Sequence, residues 1–444
     1  MNTLFAPTSR PALEVDTRRE DYQQLKSRIH QALLDRLDLD RLAYVKREEA
    51  EPEIRNLIGA MLTREAETTP LSFAEREALT TDVLNELFGL GPIEALLKDP
   101  AISDILINRH DQIYVERNGL IELTNIVFKD DRHLMRIIER IVSAVGRRID
   151  ESSPMVDARL ADGSRVNAVI PPVALDGPCV SIRRFRTDRL AAQDLVARES
   201  MTQAMLDFLE AAVATRLNII VSGGTGSGKT TMLNVLSSFI SDGERIVTIE
   251  DAAELSLRQR HVVRLETRPA NIEGKGAIKQ RDLLVNALRM RPDRIVLGEI
   301  RGEEAIDMLQ SMNTGHDGGL TTIHANTARD ALHRLDTMVA MASLNLPEKA
   351  IRQQVASAVH LIVQVARLSD GRRLVTGITE VTGMEGEVLT TQEIFLFEKQ
   401  GIGEDGRVRG RFRATGIRPK CAEKILTAGR QLAAEMFDQV RSAA

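Results

Sequence analysis

The run Gly223-Gly224-Thr225-Gly226-Ser227-Gly228-Lys229-Thr230-Thr231 sets a glycine, four intervening residues and then Gly-Lys-Thr between the apolar stretch NIIVS and a segment of helical apolar periodicity. Glycines at that spacing let the backbone curl so that several N–H groups face one anion, and the N-terminus of the following helix adds partial positive charge at the same point. Lys229 supplies a mobile ammonium and Thr230 a hydroxyl suited to a magnesium ion. The expected chemistry is the binding of the β- and γ-phosphates of ATP. A chance glycine-rich turn is the plain alternative, but it gives no reason for a strand before the run and a helix after it.

Acids and bases that could act on such phosphates lie downstream. RPDRIVLGEIRG reads as the strand Ile295-Val296-Leu297 followed by Gly298 and Glu299, a carboxylate at the sheet edge that can orient water or hold magnesium through water. RIVTIEDAAEL ends a second strand in Glu250 and Asp251, with Glu254 beyond, where a helix-start carboxylate is an equally good reading. Asp251 joins Thr230 and Glu299 as a magnesium candidate. Glu299 is the preferred general base, although spacing alone does not separate it from Glu250. His316 and His324 bracket GGLTTI and could sense the γ-phosphate, His324 above all, against the usual fate of a lone histidine in a core or turn.

Phosphoryl transfer also needs positive charge beyond one lysine. Arg159 and Arg165 in DARLADGSRV, then Arg183 and Arg184 in VSIRRFR, are the candidates, with a solvated strand face as the plain alternative.

The elements that must position these groups follow from periodicity. Strands and helices alternate from residue 218 to about 342, which predicts a parallel sheet wrapped by helices, an α/β fold. It continues through a helical stretch from Pro347, strands at LIVQVARL and RLVTGITEV, and a helix after Pro419. Upstream, DILIN, QIYVER, RVNAVI and CVSIRRF are short β-branched runs around a helix containing Ile137, Ile141 and Val145, an α+β pattern. Leu25, Ile29, Leu33 and Leu37, and then Ile54, Ile58 and Met61, repeat at helical spacing. Ser72 with Glu75 signals a capping box for a third helix that stops near Gly89 and Gly91. The expected order is a disordered tail over 1–20, a helical region over 21–95, an α+β domain over 96–190, a linker over 191–200, and the phosphate-binding domain with a C-terminal extension over 201–444.

The chain of 444 residues is long enough for about three domains, each with its own core. It carries 43% hydrophobic and 28% charged residues, the balance of a globular protein. No apolar run reaches the roughly 20 residues of a spanning helix and the start lacks a signal-peptide layout, so a cytoplasmic location is expected. Cys179 and Cys421 form no CxxC pair, which leaves no cysteine framework for disulfides or zinc. A net charge of -5, no Trp and three Tyr weigh against nucleic acid as a partner.

GGTGSGKTT, IEDAAEL, RMRPDRIVLGEIRG and TGHDGGLTTIHAN, with LGPIEALLKDPAISDILIN and DARLADGSRVNAVIPPVALDGPCVSIRRF upstream, resemble the ATPases of the type II/type IV secretion superfamily, in the CpaF-like branch of Tad (tight-adherence) pilus motors. The resemblance covers about residues 85 to 385. It implies an N-terminal domain followed by a RecA-like domain, a homo-hexameric ring, ATP and Mg²⁺, and work on a pilus or exported protein through inner-membrane platform proteins. The four motor motifs of that family map onto Gly223–Thr231, Glu250–Asp251, Glu299 and His316–His324. The tetracysteine module of the type II secretion and type IVa pilus-extension branch is missing. Two rival expectations remain: a RecA-like nucleic-acid motor, and a nucleotide-gated assembly module that does not hydrolyse ATP.

Overall fold

The structure is a computed structural model that describes residues 17–37, 47–65, 71–117, 119–185, 190–270, 275–342 and 346–438. The chain divides into two compact units, Met1–Phe185 and Arg186–Ala444.

The first unit opens with helices α1 (Thr17–Leu34), α2 (Arg47–Glu65) and α3 (Phe73–Phe88). The apolar rhythm of the sequence forms their shared core, since Leu25, Ile29, Leu33, Ile54, Ile58 and Met61 are buried together with Leu79 and Val83. Ser72 Oγ accepts the Glu75 N–H, and the Glu75 carboxylate accepts the Ser72 N–H at 2.8 Å, so the capping box starts α3 as its spacing predicts. Gly89 ends it. Of the tail expected over 1–20, residues 1–16 lie outside the described residues and 17–20 already belong to α1.

After the short α4 (Glu94–Lys98), the α+β pattern folds into β1 (Ile102–Arg109), β2 (Gln112–Arg117), β3 (Leu120–Leu123), α5 (Asp131–Ala144), β4 (Met155–Arg159), β5 (Arg165–Val169) and β6 (Cys179–Arg183). The strands make one antiparallel sheet in the order β3-β2-β1-β6-β5-β4. Inward residues Ile105, Ile107, Val115 and Ile182 meet Leu134, Ile137, Ile138 and Ile141 of α5. Val145, expected on that helix, is its exposed C-cap.

The second unit contains α6 (Ala192–Ala197), α7 (Gln203–Ala214), β7 (Ile219–Gly223), α8 (Lys229–Ser237), β8 (Ile246–Glu250), β9 (Val262–Glu266), α9 (Gln280–Ala287), β10 (Arg294–Ile300), α10 (Glu304–Asn313) and β11 (Leu320–Ile323). It continues through α11 (Ala328–Met341), α12 (Glu348–Ala358), β12 (Leu361–Arg367), β13 (Arg373–Glu385), β14 (Val388–Ile402), β15 (Val408–Ala414) and α13 (Cys421–Thr427). The strand order is β15-β14-β13-β12-β7-β11-β10-β8-β9. From β12 to β9 all neighbours are parallel, the α/β sheet that the alternation predicts. Every residue of β7, β8 and β11 is buried, as required of strands covered on both faces. Two core clusters lie against the sheet, one containing Leu233 and Leu236 of α8 and the other Met308 and Leu309 of α10.

Two further features differ from expectation. Residues 192–197, within the segment expected to link the domains, form α6, whose Leu195 is buried in the core of this unit. The antiparallel hairpin of β14 and β15 went unexpected, because its strands are largely half-buried or exposed and carry polar residues on both faces.

At the N-terminal end of the parallel strands a fully buried guanidinium fixes the sheet. Arg294 reaches Glu244 through Nε at 2.7 Å and Nη2 at 3.2 Å, and also donates to the carbonyls of Val213 and Gly318. A paired buried charge of this kind is costly to break on one side only.

Candidate active site

The C-terminal edge of a parallel sheet is where connecting loops gather. Here β7, β11, β10 and β8 lie side by side, so the segments after them converge although they are far apart in sequence. β7 leads into the glycine run and α8 begins at Lys229. Gly226 (φ 68°) and Gly228 (φ 98°) hold left-handed conformations that open the turn. A Cβ on Gly223 would lie 2.5 Å from both the Val365 carbonyl and Ser227 Oγ, so this position also has no room for a side chain. Ser227 Oγ closes the turn by donating to the Gly224 carbonyl at 2.8 Å. The first amides of α8 have no acceptor within the helix and stay available to an anion. The cradle therefore fits a nucleotide's phosphates, with Gly224, Thr225 and Thr231 along its length.

Lys229 is buried, with its ammonium 3.1 Å from the Gly224 carbonyl and 3.3 Å from each ring nitrogen of His324. His324 follows β11, and its Nε2 lies 2.9 Å from Glu299 Oε1 near the end of β10. Burial, assisted by Lys229 and Arg301 against the pull of Glu299, pushes this imidazole below its ordinary pKa, which favours its neutral form. Arg301 binds Glu299 Oε2 at 2.7 Å and Asp251 Oδ2 at 3.2 Å. Thr230 Oγ1 donates to Glu254 Oε2 at 3.4 Å. Thus Lys229, His324, Glu299, Arg301 and Asp251 form one continuous polar chain beside the glycine loop.

Glu250 sits differently. It is 3% exposed, and its Oε1 accepts the N–H groups of Glu254 and Leu255, both at 2.8 Å. Its Oε2 is buried without a hydrogen-bond partner. Burial raises its pKa against the opposing pull of those amides and Arg264. No helix follows it, so Glu254 is not a helix-start carboxylate.

His316 is not brought to this cluster. It precedes β11 while His324 follows it, and β11 runs parallel to β7, so His316 lies at the edge of the sheet away from the glycine loop. Residues that flank a strand occupy its opposite ends, which corrects the pairing of the two histidines in one sensing role.

The arginines expected to assist belong to the first unit. Arg159 pairs in register with Arg165, and Arg165 with Arg183, so three guanidinium-bearing positions form a row across β4, β5 and β6. Like charges directly opposite one another oppose strand pairing. Arg183 also meets Asp104 at 3.2 Å. Arg184 does not share the row. Its Nη1 donates to the carbonyls of Asp99 and Ile102, a tie within its own unit.

Two further arginines emerge from the fold. Arg373 of β13 donates from Nε to the Gly226 carbonyl at 2.8 Å. Arg367, at the end of β12, has Nη1 3.8 Å from where a Cβ on Gly226 would be. Their distance in sequence from the glycine run left no signal to find them. Arg301, two residues after Glu299 in GEIRG, could have been read as its partner from spacing.

A profile of the family described as type II/IV secretion system protein matches residues 86–430. A putative conjugal transfer protein of Mycobacterium tuberculosis is 40% identical over 311 residues, covering 68% of this chain and 87% of its own length. The type IV secretion system protein VirB11 of Bartonella quintana is 32% identical over 328 residues, covering 65% of this chain and 91% of its own. Among solved structures, the VirB11 ATPase of the Brucella suis type IV secretion system, in complex with sulphate, shares 29% identity with a TM-score of 0.36 over 65% of this chain and 94% of that one. A profile match over most of the length and a relative of this identity settle descent, and the chain belongs to the type II/IV secretion system protein family as one of its nucleotide-binding ATPases.

Proposed function

We propose that the protein is a motor that couples ATP hydrolysis to pilus assembly or protein export. In this reading it works as a homo-hexamer on the cytoplasmic side of an inner membrane and acts through membrane-embedded platform proteins, as a CpaF-like member of the Tad group. The observation that carries it is the polar chain from Lys229 through His324 and Glu299 to Arg301 and Asp251, set against a glycine cradle. A cradle for binding alone has no use for a carboxylate and an imidazole poised beside its lysine.

In the proposed cycle, the amides of Gly223–Thr231 and the Lys229 ammonium hold the β- and γ-phosphates. Glu299 orients and deprotonates the attacking water, while His324 reads the γ-phosphate. Thr230, Asp251 and Glu299 are the proposed holders of Mg²⁺, partly through water, and the ion would neutralise charge on the phosphates. Arg159, Arg165 and Arg183 are the proposed source of the additional positive charge that develops its value in the transition state. Their in-register row supports this, because it gathers three guanidinium groups at one place on the sheet. Among the described residues no helix is long and apolar enough to cross a membrane, so a membrane role would run through partners.

Steady-state turnover with purified chain tests the enzymatic part, and isolation from native membranes tests the rest. Integral membrane proteins of a pilus or secretion platform should stay attached. Turnover stimulated by DNA, with steep salt dependence, would instead favour a nucleic-acid motor. ATP binding without turnover, even with platform proteins supplied, would favour a nucleotide-gated module. The names of the M. tuberculosis and Bartonella relatives favour a second assignment within the same class, a conjugal or type IV secretion apparatus. The identity of the attached proteins decides between the two.

A further inference from the structure

Within the first unit, α1, α3 and α5 border a half-open cavity of about 580 Å³, within the size range of small-molecule sites. Its one acid, Glu86, is buried and already partnered, 2.7 Å from the Lys26 ammonium and 2.8 Å from His133 Nε2. Burial works to raise its pKa, but His133 and Lys26 outweigh that and hold it at about 2, so it stays ionised and neutralises the groups beside it. Burial pushes His30, on the same wall, below its ordinary value, towards the neutral form.

Three permanent cations then face the cavity with no acid left to meet them: Lys129, Arg136 and Arg140. Arg140 is held in place by donating to the carbonyls of Glu86 and Gly89. The side chains of Lys129 and Arg136 make no ion pair among the described residues. Leu34, Leu87, Phe88, Val127 and Ile137 give the cavity an apolar wall, beside the neutral polar Ser27 and Gln31.

We propose that this cavity binds a phosphate-bearing organic anion of nucleotide size, apart from the ATP held at Lys229. Guanidinium and ammonium groups would take the phosphate, and the apolar wall would take a base or similar ring. A free inorganic anion would use only the charged half. None of this depends on the motor's cargo, and the site belongs wholly to residues 26–140.

The test uses the full chain with its glycine loop saturated by a non-hydrolysable ATP analogue, titrated calorimetrically with AMP, GMP and inorganic phosphate. AMP or GMP should bind at one additional site per chain, at least about tenfold more tightly than phosphate. Lys129→Glu with Arg136→Glu should weaken that binding by about tenfold or more while the affinity for the ATP analogue is unchanged. Both residues are exposed, so the fold should survive. If circular dichroism shows that it does not, Arg136→Gln alone should still weaken binding about threefold or more. Absence of an additional site, equal affinity for phosphate and mononucleotides, or binding indifferent to these substitutions would each overturn the proposal.

Discussion

Glu299→Gln and Glu250→Gln remove the same charge from two neighbouring strand ends, and the geometry predicts opposite outcomes. Glu299 is anchored by Arg301, which keeps Asp251 as a second partner at 3.2 Å when the charge is lost. A glutamine there retains an oxygen for Arg301, so the fold and ATP binding should be preserved. What disappears is the proposed base, and general-base catalysis is worth about 10²–10⁴ in rate, or about 2.7–5.4 kcal/mol of barrier. In Glu250→Gln, the amide oxygen can still accept the N–H groups of Glu254 and Leu255. Its NH₂ then replaces a buried Oε2 that was already unpartnered, and the charge it removes is one that burial already disfavours. Glu250→Gln should therefore leave stability within about 1 kcal/mol of the wild type while changing kcat less than about tenfold. Phosphate-release kinetics, equilibrium binding of a fluorescent ATP analogue and thermal unfolding of both variants make the comparison. Collapse of kcat in Glu250→Gln with turnover preserved in Glu299→Gln would refute the reasoning and exchange the two roles.

Lys229→Ala should abolish measurable turnover without unfolding the chain, and retained wild-type ATPase activity would sink the central assignment. Alanine at Arg159, Arg165 or Arg183 should lower kcat far more than nucleotide affinity, by up to about 10³-fold if the residue acts as a transition-state finger. Arg184→Ala should instead lower the unfolding temperature, since its guanidinium ties the Asp99 and Ile102 carbonyls. Glu244→Ala strips the carboxylate from the fully buried Arg294, a loss of about 3–5 kcal/mol. At about 2–4 °C per kcal/mol for a unit of this size, calorimetry should record a drop of roughly 6–20 °C. Finally, the depressed pKa of Glu86 stabilises the fold fully above its ordinary value of 4.5, and that contribution is lost as pH falls towards about 2. Chemical unfolding between those pH values should show a shallower loss of stability in Glu86→Gln than in the wild type.

Local signals in the sequence identified the groups that local geometry positions. The glycine run is flanked by its strand and helix, the Ser72–Glu75 box starts α3, and the uniformly apolar runs became buried parallel strands. His324 and Glu299 were legible because each follows an apolar run that ends at the same sheet edge. His316 was misplaced because sequence gives proximity along the chain, whereas a strand of four residues separates its ends by about 13 Å. Pairing across strands was illegible: nothing local aligns Arg159 with Arg165 and Arg183 or brings Arg373 to Gly226. The β14–β15 hairpin escaped notice because an antiparallel pair exposed on both faces needs no clean alternation of apolar and polar residues.

The contact between Arg373 and the Gly226 carbonyl spans 147 positions, and the Val365 backbone packs against Gly223 from a similar distance. A ribosome adding about 5–20 residues per second needs roughly 7–30 s to travel from one partner to the other. Through most of that interval the emerging chain carries its whole glycine run but lacks β12 and β13, the neighbours that brace it. The glycine run is thus braced only once β12 and β13 have been made, and a chain broken off before β12 would carry the signature motif without those neighbours. Such long-range closure slows assembly, yet it ties the ability to consume ATP to the presence of strands made well after the glycine run.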